Sequence, residues 1–282
     1  MQILTNPKEL AAQCKAWHKA GDDIALVPTM GYYHQGHEDL MAYARTQAKR
    51  LVVSLFVNPT QFGPGEDLDA YPRNPERDAE VARSQGADVL FMPDPGVMYH
   101  PDHGTWVEVP DLSRGLCGLS RPVHFRGVCT VVLKLFMLTG ADVAVFGQKD
   151  WQQQAILRRM VRDLDVPVRI ETRETVREAD GLALSSRNVY LSADERAHAP
   201  EIRKALLVAQ KLAQSGETSV KLLREAVLRR WAEFLPLGRL DYLSIVHPES
   251  MTPLTEVTGP ALMACAVRVG KARLIDNILL RS

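Results

Sequence analysis

Met30-Gly31-Tyr32-Tyr33-His34-Gln35-Gly36-His37 is the most informative segment of this chain. An apolar run at residues 24–27 precedes it, and an amphipathic stretch at residues 38–49 follows it. This order predicts a strand, then a turn that carries two imidazoles, then the start of a helix. Because Gly31 and Gly36 have no side chains, the backbone of this turn can approach a ligand closely.

The two histidines of this turn indicate an anion site. His34 and His37 are three residues apart, so a helix that begins near Gly36 can place both rings on one side of its N-terminal end. Free backbone N–H groups and the helix dipole attract phosphate there. A zinc-protease helix needs histidines four residues apart with a glutamate between them, which this stretch lacks. Simple packing of two histidines at a loop corner is the remaining alternative.

The composition of the chain limits the classes of protein to which it can belong. The 282 residues include 34 basic and 34 acidic side chains, so the formal net charge is zero. This balance argues against a general nucleic-acid or membrane-surface binder. Residues 1–8 lack a basic region followed by a long apolar core, so no secretory signal is expected there, and the most apolar stretch, residues 128–138, is too short to span a bilayer. Four dispersed cysteines form no C-x-x-C pair, which predicts a reduced, cytoplasmic protein.

The first half of the chain predicts a Rossmann-like, doubly wound parallel sheet. Short β-branched runs alternate with helical patterns, as in βαβ units. The runs expected to be strands are 24–27, 51–57, 88–92, 142–146 and 168–172. Asn74 and Pro75 mark one helix start, and Gly86 and Gly140 stand where helix C-caps are expected.

The pattern changes near Thr175, which predicts a smaller C-terminal α+β domain over residues 176–282. Ser192 and Glu195 form a capping-box pattern that predicts a long helix toward Gln214. A second helix is expected at about 219–234. Strands are expected at 240–246, 261–267 and 273–280.

Polar residues follow the expected parallel strands, where an open α/β sheet binds its ligand. His34 and His37 follow the first strand, Gln61 follows the second, and Lys149 follows the strand that ends at Phe146. Neither a P-loop nor a G-x-G-x-x-G fingerprint occurs, so a nucleotide site must be built from other groups. Lys149 and the segment 184–188, with its hydroxyls and guanidinium, suit phosphate oxygens. A surface lysine and an ordinary polar turn are the alternatives.

Six segments, in chain order, carry a resemblance to a known family: 27–37, 56–62, 121–128, 147–153, 180–188 and 273–277. They resemble the pantoate–β-alanine ligases, the pantothenate synthetase family of the nucleotidyltransferase superfamily with H-x-G-H signatures. The N-P-x-Q-F, K-D-x-x-Q and D-G-L-A-x-S-S-R-N pieces are specific to this family. The resemblance implies an ATP- and pantoate-binding domain over 1–175 and a lid domain over 176–282.

The resemblance also implies residue roles. His37 would be the proton donor, with His34 and Lys149 as further catalytic groups. Gln61 and Gln153 would bind pantoate, and Gln61 would also contact β-alanine. The residues implied to bind ATP are Met30, Gly31, Tyr32, Tyr33, His34, Gln35, Gly36, His37, Gly147, Gln148, Lys149, Asp150, Val176, Leu184, Ser185, Ser186 and Arg187.

Three positions depart from the family pattern. Tyr33 replaces the usual leucine, and Trp151 replaces phenylalanine or tyrosine, so both keep an apolar body. Gln148 replaces the usual glutamate, which removes a carboxylate beside Lys149. Mg²⁺ is expected to accompany the triphosphate, with protein ligands that the sequence leaves unassigned. The family also implies a homodimer.

The chemistry accounts for these residue types. A carboxylate must be activated before it reacts with an amine, and adenylation by ATP activates it. Fixed donors are then needed for the charge that builds on phosphorus oxygens. One alternative is a nucleotidyltransferase of the same fold that acts on a phosphate-bearing molecule, which would favour arginine over Gln61 and Gln153. A non-catalytic nucleotide-sensing module is another, and Lys149 with two histidines argues against it.

Overall fold

The computed structural model describes residues 1–281. The chain forms two compact units. Unit 1 comprises Met1–Pro110, Arg121–Gln148 and Ile156–Glu174. Unit 2 comprises Asp111–Ser120, Lys149–Ala155 and the chain from Thr175 onward.

Unit 1 contains a parallel sheet of six strands in the order β1-β4-β3-β2-β5-β6. Its strands are β1 (Gln2–Leu4), β2 (Ile24–Thr29), β3 (Arg50–Leu55), β4 (Val89–Phe91), β5 (Val143–Gly147) and β6 (Arg169–Arg173). The central strands are buried along nearly their whole length, as expected when helices cover both faces of a parallel sheet. The predicted doubly wound sheet is confirmed.

Eleven helices lie within the described part of the chain. They are α1 (Pro7–Lys19), α2 (Gln35–Gln47), α3 (Pro75–Ser84), α4 (Pro95–Met98), α5 (Pro110–Ser113), α6 (Cys117–Ser120), α7 (His124–Thr139), α8 (Trp151–Asp163), α9 (Ala193–His198), α10 (Glu201–Gln214) and α11 (Val220–Phe234). Short 3-10 turns occur at Pro59–Gln61, Gln148–Asp150 and Ser186–Tyr190. None of the helices in residues 1–281 combines the length and apolarity that a membrane crossing requires.

The strand order reverses at β2. From β2 the chain builds outward through β3 and β4, and it later returns to place β5 on the other side of β2. The carboxyl ends of β2 and β5 are therefore neighbours at the switch point, where open α/β sheets bind ligands. Thr29 ends β2 and Gly147 ends β5. The sheet thus brings the histidine turn to the edge where the sequence predicts a site.

Unit 2 is built on an antiparallel sheet of three strands in the order β7-β8-β9. The strands are β7 (Gly238–Val246), β8 (Ala261–Val269) and β9 (Ala272–Arg281). One core contains buried side chains from α10 and α11, such as Leu206 and Val227, and buried side chains from β8, such as Met263. The predicted α+β character of this region is confirmed.

The prediction of one long helix from Ser192 to Gln214 is wrong in one respect. The capping box forms, because Ser192 Oγ accepts the Glu195 N–H at 3.3 Å and Glu195 Oε2 accepts the Ser192 N–H at 2.8 Å. The helix then ends at His198 and a new one begins at Glu201. Pro200 lies between them. Since proline has no N–H and its ring clashes with the preceding turn, the helix cannot continue through it.

Candidate active site

The turn between β2 and α2 is held in a strained conformation by a buried aspartate. Gly31 and Tyr32 have φ angles of +85° and +53°, and residues other than glycine rarely adopt this backbone conformation. Asp78 Oδ2 accepts the Tyr32 N–H at 2.6 Å, and Asp78 Oδ1 accepts the Tyr33 N–H at 2.8 Å. A Cβ on Gly31 would lie 2.9 Å from Asp78 Oδ2. Gly31 therefore lets the turn close onto this carboxylate.

Burial dominates the electrostatics of Asp78. Its side chain is in the first turn of α3 and is 1% exposed. Burial raises the pKa of Asp78, and the two backbone N–H groups and Arg77 act in the opposite direction. Arg77 also donates from Nη1 to the Tyr33 carbonyl at 3.1 Å. The start of α3 thus fixes the backbone that leads into His34.

His34 and His37 cap the start of α2 reciprocally. His34 Nδ1 accepts the Gly36 N–H at 3.1 Å, and His37 Nδ1 accepts the His34 N–H at 3.3 Å. The ring centroids are 4.2 Å apart. A ring nitrogen that accepts an N–H carries no proton, so each neutral ring bears its proton on Nε2. Two imidazoles in this tautomer can present N–H donors at a helix N-terminus, which is suited to anions.

The hydroxyl of the buried Tyr33 has a polar partner. Its side chain is 1% exposed, and its ring centroid is 5.3 Å from that of His37. The hydroxyl pairs with Thr29 Oγ1 at 3.1 Å. Burial raises the pKa of Tyr33 well above its ordinary value. The phenol of Tyr33 therefore stays uncharged beside the ring of His37.

Gln61 lies in the 3-10 turn that follows β3 and is buried. Asn58 Nδ2 donates to Gln61 Oε1 at 3.1 Å, which orients the amide. Gln61 Nε2 then lies 3.1 Å from Met30 Sδ. The structure thus brings together two predicted site residues, Met30 and Gln61, from the ends of adjacent strands. Asn58 and Met30 are both uncharged.

Unit 2 contains the second group of predicted residues. The chain passes from unit 1 to unit 2 between Gln148 and Lys149. Lys149 Nζ donates to the Leu184 carbonyl at 3.4 Å. Asn277 Nδ2 donates to the Lys149 carbonyl at 2.9 Å. The lysine is therefore held through its backbone and lies beside the polar segment 184–188.

A short hairpin brings Val176 and Leu184 together. The Leu184 N–H donates to the Val176 carbonyl at 3.0 Å, and Arg177 and Ala183 form a bridge between the two arms. Arg177 donates from Nη1 and Nη2 to Asp276 Oδ2 and Oδ1, each at 2.8 Å. This bidentate pair anchors the hairpin to β9, because a planar guanidinium matches a carboxylate in geometry.

Ser185 and Arg187 are linked at the start of the next turn. Ser185 Oγ accepts the Arg187 N–H at 3.3 Å and caps the 3-10 turn Ser186–Tyr190. Ser186 is buried. Asn188, the next residue of the motif, donates to Glu178 Oε1 and to the Ala183 carbonyl, both at 3.2 Å. The segment is thus fixed by its own polar side chains.

Gln153 lies in the first turn of α8 and is half-buried. Its neighbour Gln152 is buried and donates to the Leu112 and Gly115 carbonyls at 2.9 and 2.8 Å. Trp151 donates from Nε1 to the Pro248 carbonyl at 2.8 Å. The two residues that precede Gln153 therefore hold the start of α8 in place.

Four residues that hold predicted site residues in place have no role that the sequence predicts: Asn58 and Asp78 in unit 1, and Asp276 and Asn277 in unit 2. Asn58 stands close to the expected end of a strand, and Asp276 and Asn277 lie within a segment that carries the family resemblance. Asp78 stands in the first turn of a predicted helix, where an acidic residue is ordinary. Its role depends on a contact that spacing does not reveal.

No group of three or more His, Cys, Asp or Glu side chains in residues 1–281 is arranged to hold a metal ion. The four cysteines, Cys14, Cys117, Cys129 and Cys265, are unpaired thiols. A zinc centre built on His34 and His37 therefore has no third ligand of these types among the described residues.

Comparison with known proteins gives consistent results. The family model described as pantoate-beta-alanine ligase matches residues 2–279. A pantothenate synthetase of Desulfovibrio desulfuricans is 80% identical over all of both chains. A crystal structure of pantothenate synthetase from Thermus thermophilus has a TM-score of 0.94 and 43% identity, with both chains fully covered.

One further solved structure is informative. It is a pantoate-beta-alanine ligase from Francisella tularensis complexed with beta-gamma ATP and beta-alanine. It has a TM-score of 0.82 and 30% identity, and the match covers 99% of this chain and 98% of that one.

Proposed function

This chain belongs to the pantoate-beta-alanine ligase family and synthesises pantothenate with ATP as a substrate, and we propose that it does so through a pantoyl adenylate. The observation that carries the proposal is the reciprocal cap of His34 and His37, which fixes two imidazoles at a helix N-terminus. The pantoate carboxylate attacks the α-phosphorus of ATP, and pyrophosphate leaves. The amine of β-alanine then attacks the acyl carbon, and AMP leaves as the amide forms.

In the first step, negative charge grows on the phosphorus oxygens and on the departing pyrophosphate. The proposed donors to that charge are His34, His37, Lys149, Ser185, Ser186 and Arg187. Donors held in advance stabilise such charge without reorganising during the reaction. The Nδ1 bonds of His34 and His37 supply this advance ordering. His37 is the proposed proton donor, through Nε2.

ATP is proposed to be bound by the same residues that the family resemblance implies, which are residues 30–37, residues 147–150, Val176 and residues 184–187. Gln61 and Gln153 are proposed to bind pantoate, and Gln61 also to contact β-alanine. An amide can donate to one substrate group while it accepts from another, so it suits two hydroxyls and a carboxylate. The uncharged contacts of Gln61 with Asn58 and Met30 support this assignment.

Mg²⁺ is proposed to enter with ATP. The described residues offer no ready-made group of three or more acidic, histidine or cysteine ligands. This fits an ion bound mainly by phosphate oxygens and water, as is usual for magnesium nucleotides. The enzyme is further proposed to be a cytoplasmic homodimer. Sedimentation of the purified chain at several concentrations tests the dimer, and a single monomeric species contradicts it.

The second candidate is a nucleotidyltransferase that adenylylates a phosphate-bearing molecule. The surroundings of Gln61 favour the ligase. The Arg121 guanidinium, which donates to the Gln61 carbonyl, is already paired with Glu66 at 2.6 Å. A substrate phosphate would need an uncommitted cation there.

The test is exchange of labelled pyrophosphate into ATP with pantoate present and β-alanine absent. Activation precedes the amine step, so exchange is expected without β-alanine. Exchange that strictly requires β-alanine would contradict the two-step scheme. Formation of a stable adenylylated product from a phosphate-bearing acid would favour the second candidate.

A further inference from the structure

The segment 121–127, which leads into α7 and forms its first turn, packs against the turn that carries Gln61. We infer that this segment is a template that fixes the Gln61 amide for pantoate, with His124 and Gly127 as positioning residues. The inference rests on the proposed role of Gln61 in binding pantoate.

Two donors of this segment converge on the backbone of Gln61. His124 Nδ1 lies 3.0 Å from the Gln61 carbonyl oxygen, and Arg121 Nη2 donates to the same oxygen at 3.3 Å. Because a carbonyl only accepts, His124 must hold its proton on Nδ1 here. His124 and Gln61 are 8% and 7% exposed. Hydrogen bonds between buried groups are costly to leave unmade, so this contact constrains the turn.

Gly127 fixes the distance between helix and turn. A Cβ at this position would lie 2.5 Å from the Thr60 carbonyl oxygen and 2.6 Å from the Gln61 nitrogen. Both are backbone atoms, which cannot swing away as a side chain can. Only glycine lets the first turn of α7 approach this closely. Any larger residue must displace the backbone of Gln61.

The same helix also acts on the Gln61 side chain. Asn58 Nδ2 donates to the Gly127 carbonyl at 3.1 Å and to Gln61 Oε1 at 3.1 Å. One amide group therefore ties the orientation of the Gln61 side chain to the position of Gly127. With its Oε1 occupied in this way, Gln61 has its Nε2 directed toward Met30 Sδ.

Arg121 completes the template from the other side of the loop. Its Nε lies 3.1 and 3.0 Å from Glu66 Oε1 and Oε2, and its Nη2 lies 2.6 Å from Glu66 Oε2. Glu66 follows Gln61 in the same loop, so one guanidinium holds the loop at two points. A side-chain amide that is held in one orientation binds a substrate more tightly than a mobile one, because it is already ordered before the substrate binds.

The test is the dissociation constant of pantoate, measured by calorimetry on enzyme saturated with an ATP analogue that cannot be cleaved between the α- and β-phosphates. His124→Leu should weaken pantoate binding about tenfold, as for loss of one buried hydrogen bond. His124→Asn, whose amide can replace Nδ1 as donor, should recover most of that loss. Gly127→Ala should weaken binding by more, up to about 100-fold, because it misplaces the turn.

Two controls match these changes. His18 Nε2 lies 3.1 Å from the Gly140 carbonyl oxygen, at the other end of α7. Gly96 has no heavy atom within 4 Å of an added Cβ. His18→Leu and Gly96→Ala should leave the pantoate dissociation constant unchanged. The ATP-analogue dissociation constant of every variant checks that its fold is intact.

Repeating His124→Leu in a Gln61→Ala background separates the possible failures. If His124 acts through Gln61, the added loss should be below about twofold, since the effects of coupled residues are not additive. An equal loss in both backgrounds, or no loss in the natural background, would overturn the inference. If Gln61→Ala alone leaves pantoate binding unchanged, the proposed acid pocket is wrong, and the inference fails with it.

Discussion

The ring of His37 accepts the backbone N–H of His34, and the ring of His34 accepts the N–H of Gly36, so the two histidines together close the first turn of α2. Their centroids are 4.2 Å apart. A capping role and a proposed catalytic role are thus combined in one pair of side chains. The Nδ1 atoms hold the start of the helix, and the proposed chemistry is assigned to the Nε2 atoms.

Mutation of His37 can separate its capping role from its proposed catalytic role. His37→Asn keeps an acceptor near the place of Nδ1 and removes Nε2, whereas His37→Ala removes both. The Asn variant should therefore be more stable than the Ala variant by about 0.5–2 kcal/mol, the range for helix N-caps. Both should slow adenylate formation by about 100-fold, as for a lost transition-state donor. Denaturant unfolding and pyrophosphate exchange measure the two effects. Equal stability of the variants would contradict the capping role, and an active Asn variant would contradict the role of Nε2.

Lys149 should act in only one half-reaction. Lys149→Ala should slow adenylate formation by at least about 100-fold, because the departing pyrophosphate loses a cation. Purified pantoyl adenylate should still react with β-alanine at a nearly natural rate. Lys204→Ala, which removes an exposed lysine paired with Glu201, serves as the control. Equal loss in both half-reactions would assign Lys149 a general structural role.

Asn277 should influence the reaction through Lys149. Its Nδ2 donates to the Lys149 carbonyl at 2.9 Å. Asn277→Asp is nearly isosteric and removes this donor, so adenylate formation should fall about tenfold, less than for loss of the lysine itself. In a Lys149→Ala background the same change should have little further effect. Full additivity in that double variant would show that Asn277 does not position Lys149.

Gln153 should affect pantoate and spare ATP. Gln153→Ala leaves polar groups of the bound acid unpaired, which should cost roughly 1–3 kcal/mol of pantoate binding. Gln210, whose Nε2 donates to the Leu279 carbonyl at 2.8 Å, offers a matched glutamine for the control variant Gln210→Ala. Calorimetry with each ligand gives both constants. An equal weakening of ATP binding would place Gln153 outside the acid pocket.

Cys14 gives a prediction about pH. Burial raises the pKa of its thiol to about 12, above the ordinary value of about 8.5. The folded state therefore favours the protonated thiol. The resulting stability is complete below about pH 8.5 and is lost as pH rises toward about 12, by up to roughly 1.4 kcal/mol per pH unit. The destabilisation caused by Cys14→Ala should accordingly shrink between about pH 9 and 11.

Leu10 provides the control for this measurement, because it is buried on the same helix and does not titrate. The destabilisation caused by Leu10→Ala should be independent of pH over the same range. Other groups of the protein titrate equally in variant and natural chain, so the difference isolates the thiol. A pH-independent Cys14→Ala effect would contradict the raised pKa.

The fold of unit 1 was predictable where the sequence has strong periodicity. The run that became β2 and the helix that follows it were both expected, and α2 begins within one residue of Gly36. In contrast, β1 and α1 were not identified. β1 has only three residues and two of them are exposed, so it carries little pattern. For α1, Asn6 caps the helix by accepting the Lys8 N–H at 2.9 Å, a signal that was readable before Pro7.

The interrupted helix at Pro200 could have been predicted from sequence, since a proline inside a helical pattern ends or kinks the helix. The supports of the site could not. Tyr33 and Asp78 are 45 residues apart in the chain, and Lys149 and Asn277 are 128 residues apart. Local spacing carries no information about such contacts. They arise only when the sheet of each unit has brought distant segments together.

In the proposed first step, the pantoate carboxylate attacks the α-phosphorus of ATP. Turnover of pantoate labelled with a heavy oxygen isotope in its carboxylate tests it most directly, with the products analysed by mass spectrometry. Adenylation transfers one carboxylate oxygen to the phosphorus, and the amine later breaks the bond between that oxygen and the acyl carbon. One labelled oxygen is therefore expected in each AMP and none in pyrophosphate. Label that appears in inorganic phosphate or pyrophosphate, with AMP unlabelled, would contradict it.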